Sequence, residues 1–399
     1  MSEGARIARV LQVHTRYRQA GGEDEVVEAE KRLMENAGVE VRQVIFDNAE
    51  LRESLSLAGD LRLAASAIWS RPALRRVRAA LSAHRPQVMH VHNTYIAASP
   101  SIYAAAAASR VPVVQTLHNY RLVCPAATLF RDGHACTDCV GRMVPWPAVL
   151  HACVRGSRIQ SFVTTGTITV DRARGTRVRG IAAYVALTNF QRQLMITGGL
   201  PAARIRVIPN FLEPDPGRGN DSRAGVLFVG RLAEEKGIPT LLEAASMVPG
   251  TVTVAGGGPL GSFAEQAAAA GHIAYLGVLT RSSVADVVRR ATALLLPSVW
   301  FEGFPLVLLE AFASGTPVIA SRIGALGELV DDGVTGLLAE PGNPGDLADR
   351  IRWARDHPSE MHEMGANARQ RYESRFRGEA HLAALLETYA HVGGSRQAA

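Results

Sequence analysis

Residues 298–321 read SVWFEGFPLVLLEAFASGTPVIAS, an apolar run whose only charged side chains are Glu302 and Glu310. Its middle has the spacing of a helix that ends at a glycine, and its end is a short β-branched run typical of a buried strand. A buried carboxylate without a partner is costly, so both side chains must reach solvent or a polar ligand. The run therefore predicts a helix packed on a sheet, with both carboxylates near one edge of that sheet.

The same alternation of strands and helices is present in the N-terminal half. Residues 23–38, EDEVVEAEKRLMENAG, have the spacing of a helix that ends at a glycine. Strands that alternate with helices form a parallel sheet covered on both faces. The expected strands of this half are RIARVLQVH (6–14), VEVRQVIF (39–46), PQVMHVHN (86–93), VPVVQTLHN (111–119), AAYVALT (182–188) and IRVIPN (205–210).

The alternation restarts after residues 212–224, LEPDPGRGNDSRA, which have the polar, Pro- and Gly-rich composition of a linker. We expect α/β architecture: two doubly wound Rossmann-like domains that face each other across a cleft, with ligands at the carboxyl ends of the strands. The second set of expected strands is GVLFVGRL (225–232), TVTVAGGG (251–258), IAYLGVL (273–279), ALLLPSV (293–299) and TPVIAS (316–321). The expected divisions are an N-terminal domain 1–209, a linker 210–224, a C-terminal domain 225–378, and a C-terminal helix and tail 379–399 that packs back toward the N-terminal domain.

Composition indicates a globular protein of more than one domain, with 399 residues, 47% apolar and 20% charged. No run approaches the roughly 20 uncharged apolar residues of a membrane-spanning helix, and the N-terminus lacks a signal-peptide pattern. We therefore expect a cytoplasmic protein that is not integral to a membrane.

Charge is distributed unevenly along the chain. Residues 1–209 hold 27 Lys and Arg against 15 Asp and Glu, residues 210–399 hold 16 against 22, and residues 62–209 hold 19 against 3. Such a field favours anionic partners: a phosphate-bearing ligand, a membrane surface or nucleic acid. The alternative is a set of solvated arginines with no partner.

Three motifs of the C-terminal half are suited to a phosphate-bearing ligand. FVGRLAEEKG (228–237) places Arg231 and Lys236 just after a strand, where two cations can hold a diphosphate. AGGGP (255–259) is a glycine turn that lets the backbone approach a ligand. Leu306 and Val307 begin the helix of the opening run, and their amides can receive anionic oxygens. Carboxylates beside these groups are suited to neutral sugar or ribose hydroxyls.

Together with GELVDDGVTGLL (327–338) and GGEDEVV (21–27), these motifs resemble the retaining glycosyltransferases of family 4, which have the GT-B fold. The resemblance runs from about residue 6 to 390. It implies that Arg231 and Lys236 contact the donor diphosphate, Glu310 the ribose, and Glu302 the transferred sugar. The other donor-binding positions that it implies are Gly21, Gly22, Gly257, Phe304, Pro305, Leu306 and Val307.

The resemblance also implies a reaction. The donor is a nucleoside-diphosphate sugar, and the acceptor is a saccharide or lipid-linked molecule of surface polysaccharide or glycoconjugate synthesis. A hexosyl-type, retaining transfer needs no divalent metal, in agreement with the absence of a D-x-D motif. An enzyme of this kind is cytoplasmic, with peripheral binding to the inner face of the membrane as a further expectation.

Two histidines at strand ends are candidates for the N-terminal half of the site. The family places a histidine at His118 beside the donor sugar, and His92 ends the neighbouring expected strand. A histidine at a strand end also serves as an ordinary structural group. Because no nucleophile is evident, we expect front-face attack assisted by the leaving phosphate.

Residues 121–158 contain all four cysteines of the chain and depart from the family pattern. The spacing C-x11-C-x2-C-x13-C in a cytoplasmic protein favours metal over disulfides. A structural tetrathiolate zinc site orders a short loop, while an iron–sulfur cluster and free or paired thiols remain open. The candidate ligands are Cys124, Cys136, Cys139 and Cys153.

Two other functions remain open from the sequence. A sugar-nucleotide epimerase can share the fold, and a four-cysteine zinc module in a basic field is also compatible with a nucleic-acid-binding protein. The basic region lacks clusters of aromatic residues for stacking bases, and nucleic-acid binding would leave the donor-site residues unused. We therefore expect a sugar donor and an acceptor as partners, and no nucleic acid.

Overall fold

A computed structural model describes residues 7–16, 21–48, 66–95, 97–219 and 223–394, apart from the side chain of Arg177. Parts of several sequence predictions lie outside these residues: the start of the first strand, part of the linker, part of the basic region and the C-terminal tail. In the order of the chain, those parts are residue 6, residues 62–65, residues 220–222 and residues 395–399.

Contacts divide the chain into two units. The N-terminal unit comprises Met1–Thr128, Thr137–Pro209 and His381–Ala399, and the C-terminal unit comprises Leu129–Cys136 and Asn210–Ala380. The first unit thus differs from residues 1–209 in two segments, because it includes the end of the last helix and lacks eight residues of the cysteine-containing segment.

The sheet of the N-terminal unit has six parallel strands in the order β2-β1-β3-β4-β7-β8. Its strands β3, β4 and β7 are buried along their whole length, which explains their continuous β-branched and apolar runs. The strands are β1 (Arg9–Arg16), β2 (Glu40–Asp47), β3 (Val88–Val91), β4 (Val113–Thr116), β7 (Ala183–Ala186) and β8 (Ile205–Val207).

The helices of this unit flank the sheet strands along the chain. They are α1 (Gly22–Asn36), α2 (Arg71–His84), α3 (Ser101–Ala108), α4 (Pro147–Leu150), α5 (Arg158–Arg174), α6 (Thr176–Gly180), α7 (Asn189–Thr197) and α15 (Gly378–Gly394), with a 3-10 turn at Ala202–Arg204. The boundaries of α5 follow from local chemistry, since the Ser157 hydroxyl accepts a hydrogen bond from the Gln160 amide at 3.3 Å and Gly175 ends the helix at φ 60°.

The last helix completes the core of the N-terminal unit. Leu385, Tyr389 and Val392 of α15 are buried in one cluster with residues of the sheet and with Met34 of α1. Burial of apolar area of this kind stabilises a fold by roughly 25 cal/mol per Å². The end of the chain is therefore a structural part of the N-terminal unit.

The C-terminal unit contains a second sheet of six parallel strands, in the order β11-β10-β9-β12-β13-β14. The prediction of two Rossmann-like α/β domains is confirmed. The strands are β9 (Val226–Val229), β10 (Val252–Ala255), β11 (Ile273–Tyr275), β12 (Ala293–Leu296), β13 (Val318–Ser321) and β14 (Gly336–Ala339).

The helices of the C-terminal unit bury one apolar side against that sheet, in a cluster that joins Leu241 and Ile351 of two helices to Val254 and Ile319 of two strands. An antiparallel pair from the cysteine-containing segment, β5 (Phe130–Arg131) and β6 (His134–Ala135), belongs to the same unit. The helices are α8 (Ile238–Ser246), α9 (Gly261–Ala269), α10 (Arg281–Arg290), α11 (Leu306–Ala313), α12 (Gly324–Leu329), α13 (Pro344–Asp356) and α14 (Pro358–Arg375), with a 3-10 turn at Glu234–Lys236.

Candidate functional site

Three loops of the C-terminal unit that carry predicted donor-site residues lie at one edge of its sheet. Strand β9 pairs with β10 on one side and β12 on the other, all parallel, so their carboxyl ends point the same way. Arg231 and Lys236 follow β9, Gly257 follows β10 and Glu302 follows β12. The topology therefore places these residues at the edge where ligands bind in folds of this type.

Glycines allow these loops to approach each other closely. Gly237 has φ 72°, and a Cβ there would lie 1.9 Å from the Pro297 carbonyl oxygen. Gly256 has φ 136°, and a Cβ there would lie 1.9 Å from the Gly230 carbonyl oxygen. The sequence predicted that the glycine turn 255–259 lets the backbone approach a ligand. At Gly256 the structure instead requires glycine because two loops pack closely there.

Lys236 and Glu302 are paired. The Lys236 Nζ atom donates to Glu302 Oε1 at 2.7 Å and to Oε2 at 3.0 Å, and the Ser298 hydroxyl donates to Oε1 at 2.6 Å. The Glu302 side chain is only 6% exposed. Burial alone would raise the pKa of Glu302, but Lys236 holds that pKa below its ordinary value, so the carboxylate stays charged. Two residues that the resemblance assigns to different parts of the donor are thus in direct contact.

Arg231 has a different environment from Lys236. Its guanidinium group forms an ion pair with Glu235, four residues along the chain, and 55% of its side chain is exposed. Glu235, by contrast, is only 14% exposed. The guanidinium group therefore lies at the surface, where an anionic ligand can reach it.

Helix α11 carries the remaining donor-site candidates of this unit. Pro305 precedes its first residue in extended conformation, and the first amides of an α-helix have no carbonyl partner within it. Phe304 is 7% exposed and packs edge-on against Phe376 at 5.7 Å, so its side chain belongs to the core. The half-exposed positions at the start of the helix and one turn along it are Leu306, Val307 and Glu310.

In the N-terminal unit, the two predicted histidines contact each other. His118 follows β4 and His92 follows β3, and these strands are paired. The His118 Nε2 atom lies 3.0 Å from His92 Nδ1, with the rings stacked at 5.3 Å. The opposite nitrogen of His92, Nε2, lies 3.4 Å from Oε1 of the buried Glu30. A chain of three side chains therefore runs from the interior to His118.

Glu30 is surrounded by proton donors. Its Oε1 atom lies 2.9 Å from His90 Nδ1 and accepts from Gln12 Nε2 at 2.9 Å, while His381 Nε2 lies 3.2 Å from Oε2. Tyr389 of α15 places its hydroxyl 2.7 Å from His90 Nδ1. Burial alone would raise the pKa of Glu30, but the adjacent histidines hold it well below the usual range.

The charged Glu30 determines the proton positions along this chain. A carboxylate at 3.4 Å favours the N–H form of His92 Nε2 over a lone pair, which leaves His92 Nδ1 as an acceptor. His118 must then donate its Nε2–H to that acceptor. Burial and the neighbouring His92 hold the pKa of His118 well below its usual range, so the ring is neutral and its Nδ1 is a hydrogen-bond acceptor.

Sequence reasoning missed Glu30, His381 and Tyr389. A signal for Glu30 was available, because it occupies a position of the buried stripe of α1 that Val26, Val27 and Met34 also form. No comparable signal existed for the residues of α15, since nothing in the sequence aligns them with a strand some 300 positions earlier. Glu30, His90 and His92 also form the one group of described residues in which three candidate metal-ligand atoms lie within 4.8 Å of one another.

Gly21 and Gly22 lie at the N-terminus of α1. The Gly21 amide donates to the Asp24 carboxylate at 3.0 Å, which caps the helix. The next residue, Glu23, accepts a hydrogen bond from Asn93 at 3.1 Å. Burial, reinforced by the adjacent Asp24, raises the pKa of Glu23 to about 8. The first turn of α1 thus carries a carboxyl group that is mostly protonated at neutral pH.

The four cysteines differ in exposure. Cys124 and Cys139 are buried, and Cys136 and Cys153 are partly exposed. The Cys139 sulfur lies 3.8 Å from the Pro145 carbonyl oxygen, a contact in which a thiol acts as a weak donor. Zinc coordination by these residues stays a prediction.

Comparisons with known proteins identify the family. Residues 21–210 match the glycosyl transferase 4-like domain, and residues 214–371 match the group 1 glycosyl transferases. The glycogen synthase of Mycobacterium tuberculosis is 32% identical over an alignment of 323 residues that covers 78% of this chain and 71% of that protein. The chain belongs to the group 1 glycosyl transferases.

Other relatives agree with this assignment. The D-inositol 3-phosphate glycosyltransferase of Mycobacterium tuberculosis is 30% identical over an alignment of 234 residues that covers 52% of this chain and 48% of that protein. The structure of HepE from Anabaena, solved with UDP and glucose, has a TM-score of 0.66, covers 96% of this chain and 100% of its own, and is 17% identical. At that identity the likeness concerns the fold alone.

Family membership confirms the prediction of a glycosyltransferase with the GT-B fold. It gives no support to the nucleic-acid-binding alternative, in which the residues at the edge of the second sheet would have no role. The cysteine-containing segment 121–158 lies within the match to the glycosyl transferase 4-like domain. This segment is therefore part of the glycosyl transferase 4-like domain of the chain.

Proposed function

We propose that the protein transfers a hexosyl-type sugar from a nucleoside-diphosphate sugar to a saccharide or lipid-linked acceptor, with retention of the anomeric configuration. The observation that carries the proposal is the buried Glu302 carboxylate, held by Lys236 at the carboxyl edge of the second sheet. A cation and a carboxylate in contact offer a phosphate partner and a hydroxyl acceptor within one small region.

The donor binds at this edge with its diphosphate near the cations. Arg231 and Lys236 supply charge, and the first amides of α11 supply hydrogen bonds to phosphate oxygens. Glu310, one turn into the helix, accepts hydrogen bonds from the ribose. The solved HepE structures with UDP and with UDP-glucose support a nucleoside-diphosphate sugar as the donor class.

The chemistry follows from what holds Glu302. Both of its oxygens accept from Lys236, and one also accepts from Ser298, so its lone pairs are poor nucleophiles. Glu302 therefore accepts hydrogen bonds from the transferred sugar and forms no bond to it. The acceptor hydroxyl attacks from the face that the diphosphate leaves, and a phosphate oxygen takes its proton. Arg231, Lys236 and helix amides stabilise the leaving diphosphate without a divalent metal.

His118 has a positioning role toward the sugar. A neutral ring with Nε2 committed to His92 presents only Nδ1, which accepts a hydrogen bond from a sugar hydroxyl. Gly21 and Gly22 at the start of α1 contribute backbone contacts to the diphosphate, as the family resemblance implies.

The acceptor is anionic or lies at a membrane, in surface polysaccharide or glycoconjugate synthesis. The arginines of α2 support this part of the proposal, since Arg71, Arg75, Arg76 and Arg78 are all exposed. The second arginine group, in residues 172–179, supports it less, because Arg172 donates to the Leu122 carbonyl at 2.8 Å. Solvated arginines with no partner are the alternative.

The decisive experiment is release of nucleoside diphosphate in the presence of candidate acceptors. A screen of UDP, GDP and their sugars for thermal stabilisation identifies the donor first, since a ligand of the folded state raises the melting temperature. Turnover must then depend on acceptor, need no added divalent metal, and give a product whose anomeric configuration by NMR equals that of the donor. Inversion of configuration would refute the retaining reaction.

A structural zinc in the cysteine-containing segment is a separate part of the proposal. It is supported by the spacing of the four cysteines in a chain with no others. Elemental analysis of purified protein should give about one equivalent of zinc, and a chelator should expose residues 121–155 to hydrogen exchange while residues 210–380 of the C-terminal unit stay protected. Full activity of metal-free protein would contradict a structural requirement for zinc.

A further inference from the structure

Large apolar side chains are exposed together in one part of the N-terminal unit, which we name the insert surface. Single exposed apolar residues are ordinary, whereas a cluster of them marks an interaction site. The insert surface consists of Met143 (61% exposed), Val144 (45%), Trp146 (52%), Leu150 (56%), Ile159 (70%) and Phe162 (68%).

The elements that carry this surface pack against each other. Helices α4 and α5 are in contact, the Thr165 hydroxyl donates to the Pro145 carbonyl at 3.4 Å, and the Val154 amide donates to the Ser161 hydroxyl at 2.9 Å. The apolar side chains are therefore presented by an ordered framework.

Helix α5 has the reverse of the usual amphipathic pattern. Its buried side chains are the hydroxyl-bearing Ser161, Thr164 and Thr165, while Ile159 and Phe162, three residues apart on one face, are its most exposed apolar residues. A helix at the surface of a globular domain normally buries its apolar stripe. The inverted pattern indicates an apolar environment outside the protein.

Charge selects the kind of environment. No acidic residue occurs between Asp138 and Asp171, whereas Arg142, Arg155 and Arg158 lie in that interval and are exposed. A second copy of the chain would bring these arginines together across a two-fold axis, which is unfavourable. An anionic surface with an apolar interior is complementary to both features.

We infer that the insert surface docks the protein on an anionic membrane, with Trp146, Ile159 and Phe162 in the lipid headgroup region and the arginines on lipid phosphates. Tryptophan together with basic residues is typical of membrane interfaces. Among the described residues no helix is long and apolar enough to cross a bilayer, so the docking is peripheral.

A cavity of the same unit lies on the other side of α5. Thr164, Thr167 and Ile168 line it together with Tyr95 and Arg121. At 3.6 residues per turn these three positions are on roughly the opposite side of the helix from Phe162. The docking therefore concerns the outer side of α5, and its use for a lipid-linked acceptor rests on the proposed function.

Vesicle sedimentation tests the docking without any glycosyl transfer. Full-length protein should bind vesicles of phosphatidylcholine and phosphatidylglycerol, and bind pure phosphatidylcholine much more weakly. The double variant Ile159→Gln/Phe162→Gln should weaken binding about tenfold or more, because two apolar anchors are lost. Phe263→Gln on α9, where Phe263 is 55% exposed, is the matched control and should bind like the wild type.

Three outcomes would overturn the inference. The first is no binding to the vesicles at low salt, and the second is binding that is unchanged in the double variant. The third is a dimer that light scattering detects for the wild type and not for the double variant, since this would assign the surface to a second copy. A blue shift of tryptophan fluorescence on vesicles that Trp146→Phe removes would support the docking independently. Vesicle binding without any acceptor-dependent turnover would leave the docking intact and refute the proposed function instead.

Discussion

Glu30 and Glu302 are both buried carboxylates, and the two units stabilise them in different ways. Glu302 contacts the Lys236 ammonium group and the Ser298 hydroxyl, and Lys236 is 23% exposed. Glu30 is 1% exposed and contacts three imidazoles and an amide, and among the described residues no lysine or arginine forms an ion pair with it. The first arrangement concentrates charge at the proposed donor site, and the second distributes hydrogen bonds in the interior.

The two environments determine how each residue can act. A carboxylate paired with a partly exposed cation is sensitive to anything that competes for that cation, including a phosphate. A carboxylate fixed by several buried imidazole and amide groups is insensitive to ligands and suited to orienting a neighbour. We therefore expect substitutions around Glu302 to alter binding and turnover directly, and substitutions at Glu30 to act through His92 and His118.

Removal of Lys236 should give the largest effect. In Lys236→Ala the buried Glu302 loses its cation, which should lower the free energy of unfolding by about 3 kcal/mol, as measured by urea denaturation. The same variant should lose about 2–4 kcal/mol of transition-state stabilisation in kcat/KM. Lys236→Arg should restore stability better than rate, because a planar guanidinium does not reproduce a point charge.

The other lysine of the chain supplies the control. Lys31 lies 3.9 Å from Glu35 on the surface of α1, with 30% of its side chain exposed. Lys31→Ala should change the free energy of unfolding by no more than about 0.5 kcal/mol. Equal destabilisation by the two lysine variants, or full activity of Lys236→Arg, would show that the pair with Glu302 has no special role.

Glu30→Gln should reduce turnover on the order of 10- to 100-fold with little change in KM, because the orientation of His118 is lost while the donor contacts remain. The direct readout is nitrogen-15 NMR of the histidine side chains. In the wild type, His118 should be protonated on Nε2 and His92 on Nε2, and the variant should show a mixture of tautomers.

A control on the same helix separates positioning from folding. Glu35→Gln changes a carboxylate that is 44% exposed and should leave both the tautomers and the rate unchanged. A lower melting temperature for Glu30→Gln with an unchanged His118 tautomer would reduce Glu30 to a purely structural residue.

The sequence predicted the parts of this arrangement that depend on local pattern. The expected strands 86–93 and 111–119 placed His92 and His118 near neighbouring strand ends, because parallel strands align their carboxyl ends, and β3 and β4 lie within these two runs. The run 298–321 likewise placed Glu302 before α11 and Glu310 inside it.

Contacts between residues distant in sequence were beyond the same reasoning. Nothing in the spacing pairs Lys236 with Glu302, since the contact depends on Gly237 approaching the Pro297 carbonyl in the folded unit. Tyr389 meets His90 because α15 returns to the N-terminal core, which is tertiary packing and leaves no periodic signal.

The carboxylates of the opening run should separate by role. Glu310→Ala should weaken the affinity for the bare nucleoside diphosphate about tenfold, the effect of losing hydrogen bonds to the ribose. Glu302→Gln should lose turnover while calorimetry shows nearly unchanged affinity for the same ligand. Equal losses of affinity in both variants would contradict the division between ribose and sugar.

Glu23 is a further carboxyl group, one that should be neutral, and its substitution should have the smallest effect on turnover. Its pKa of about 8 in the folded protein exceeds the ordinary value of 4.5 because of burial and the adjacent Asp24. The folded state then binds more protons than the unfolded state between these values, so its stabilising contribution is complete below pH 4.5 and is lost as pH rises through 8. Glu23→Gln mimics the protonated form, and between pH 5 and 8 its free energy of unfolding should fall less than that of the wild type, by at least about 1 kcal/mol.

The exposed neighbour Glu25 provides the control, since Glu25→Gln should keep the wild-type slope. If the free energy of unfolding of Glu23→Gln and of the wild type changed in parallel with pH, Glu23 would be charged at neutral pH. Its charge would then repel the diphosphate that is proposed to bind at Gly21 and Gly22.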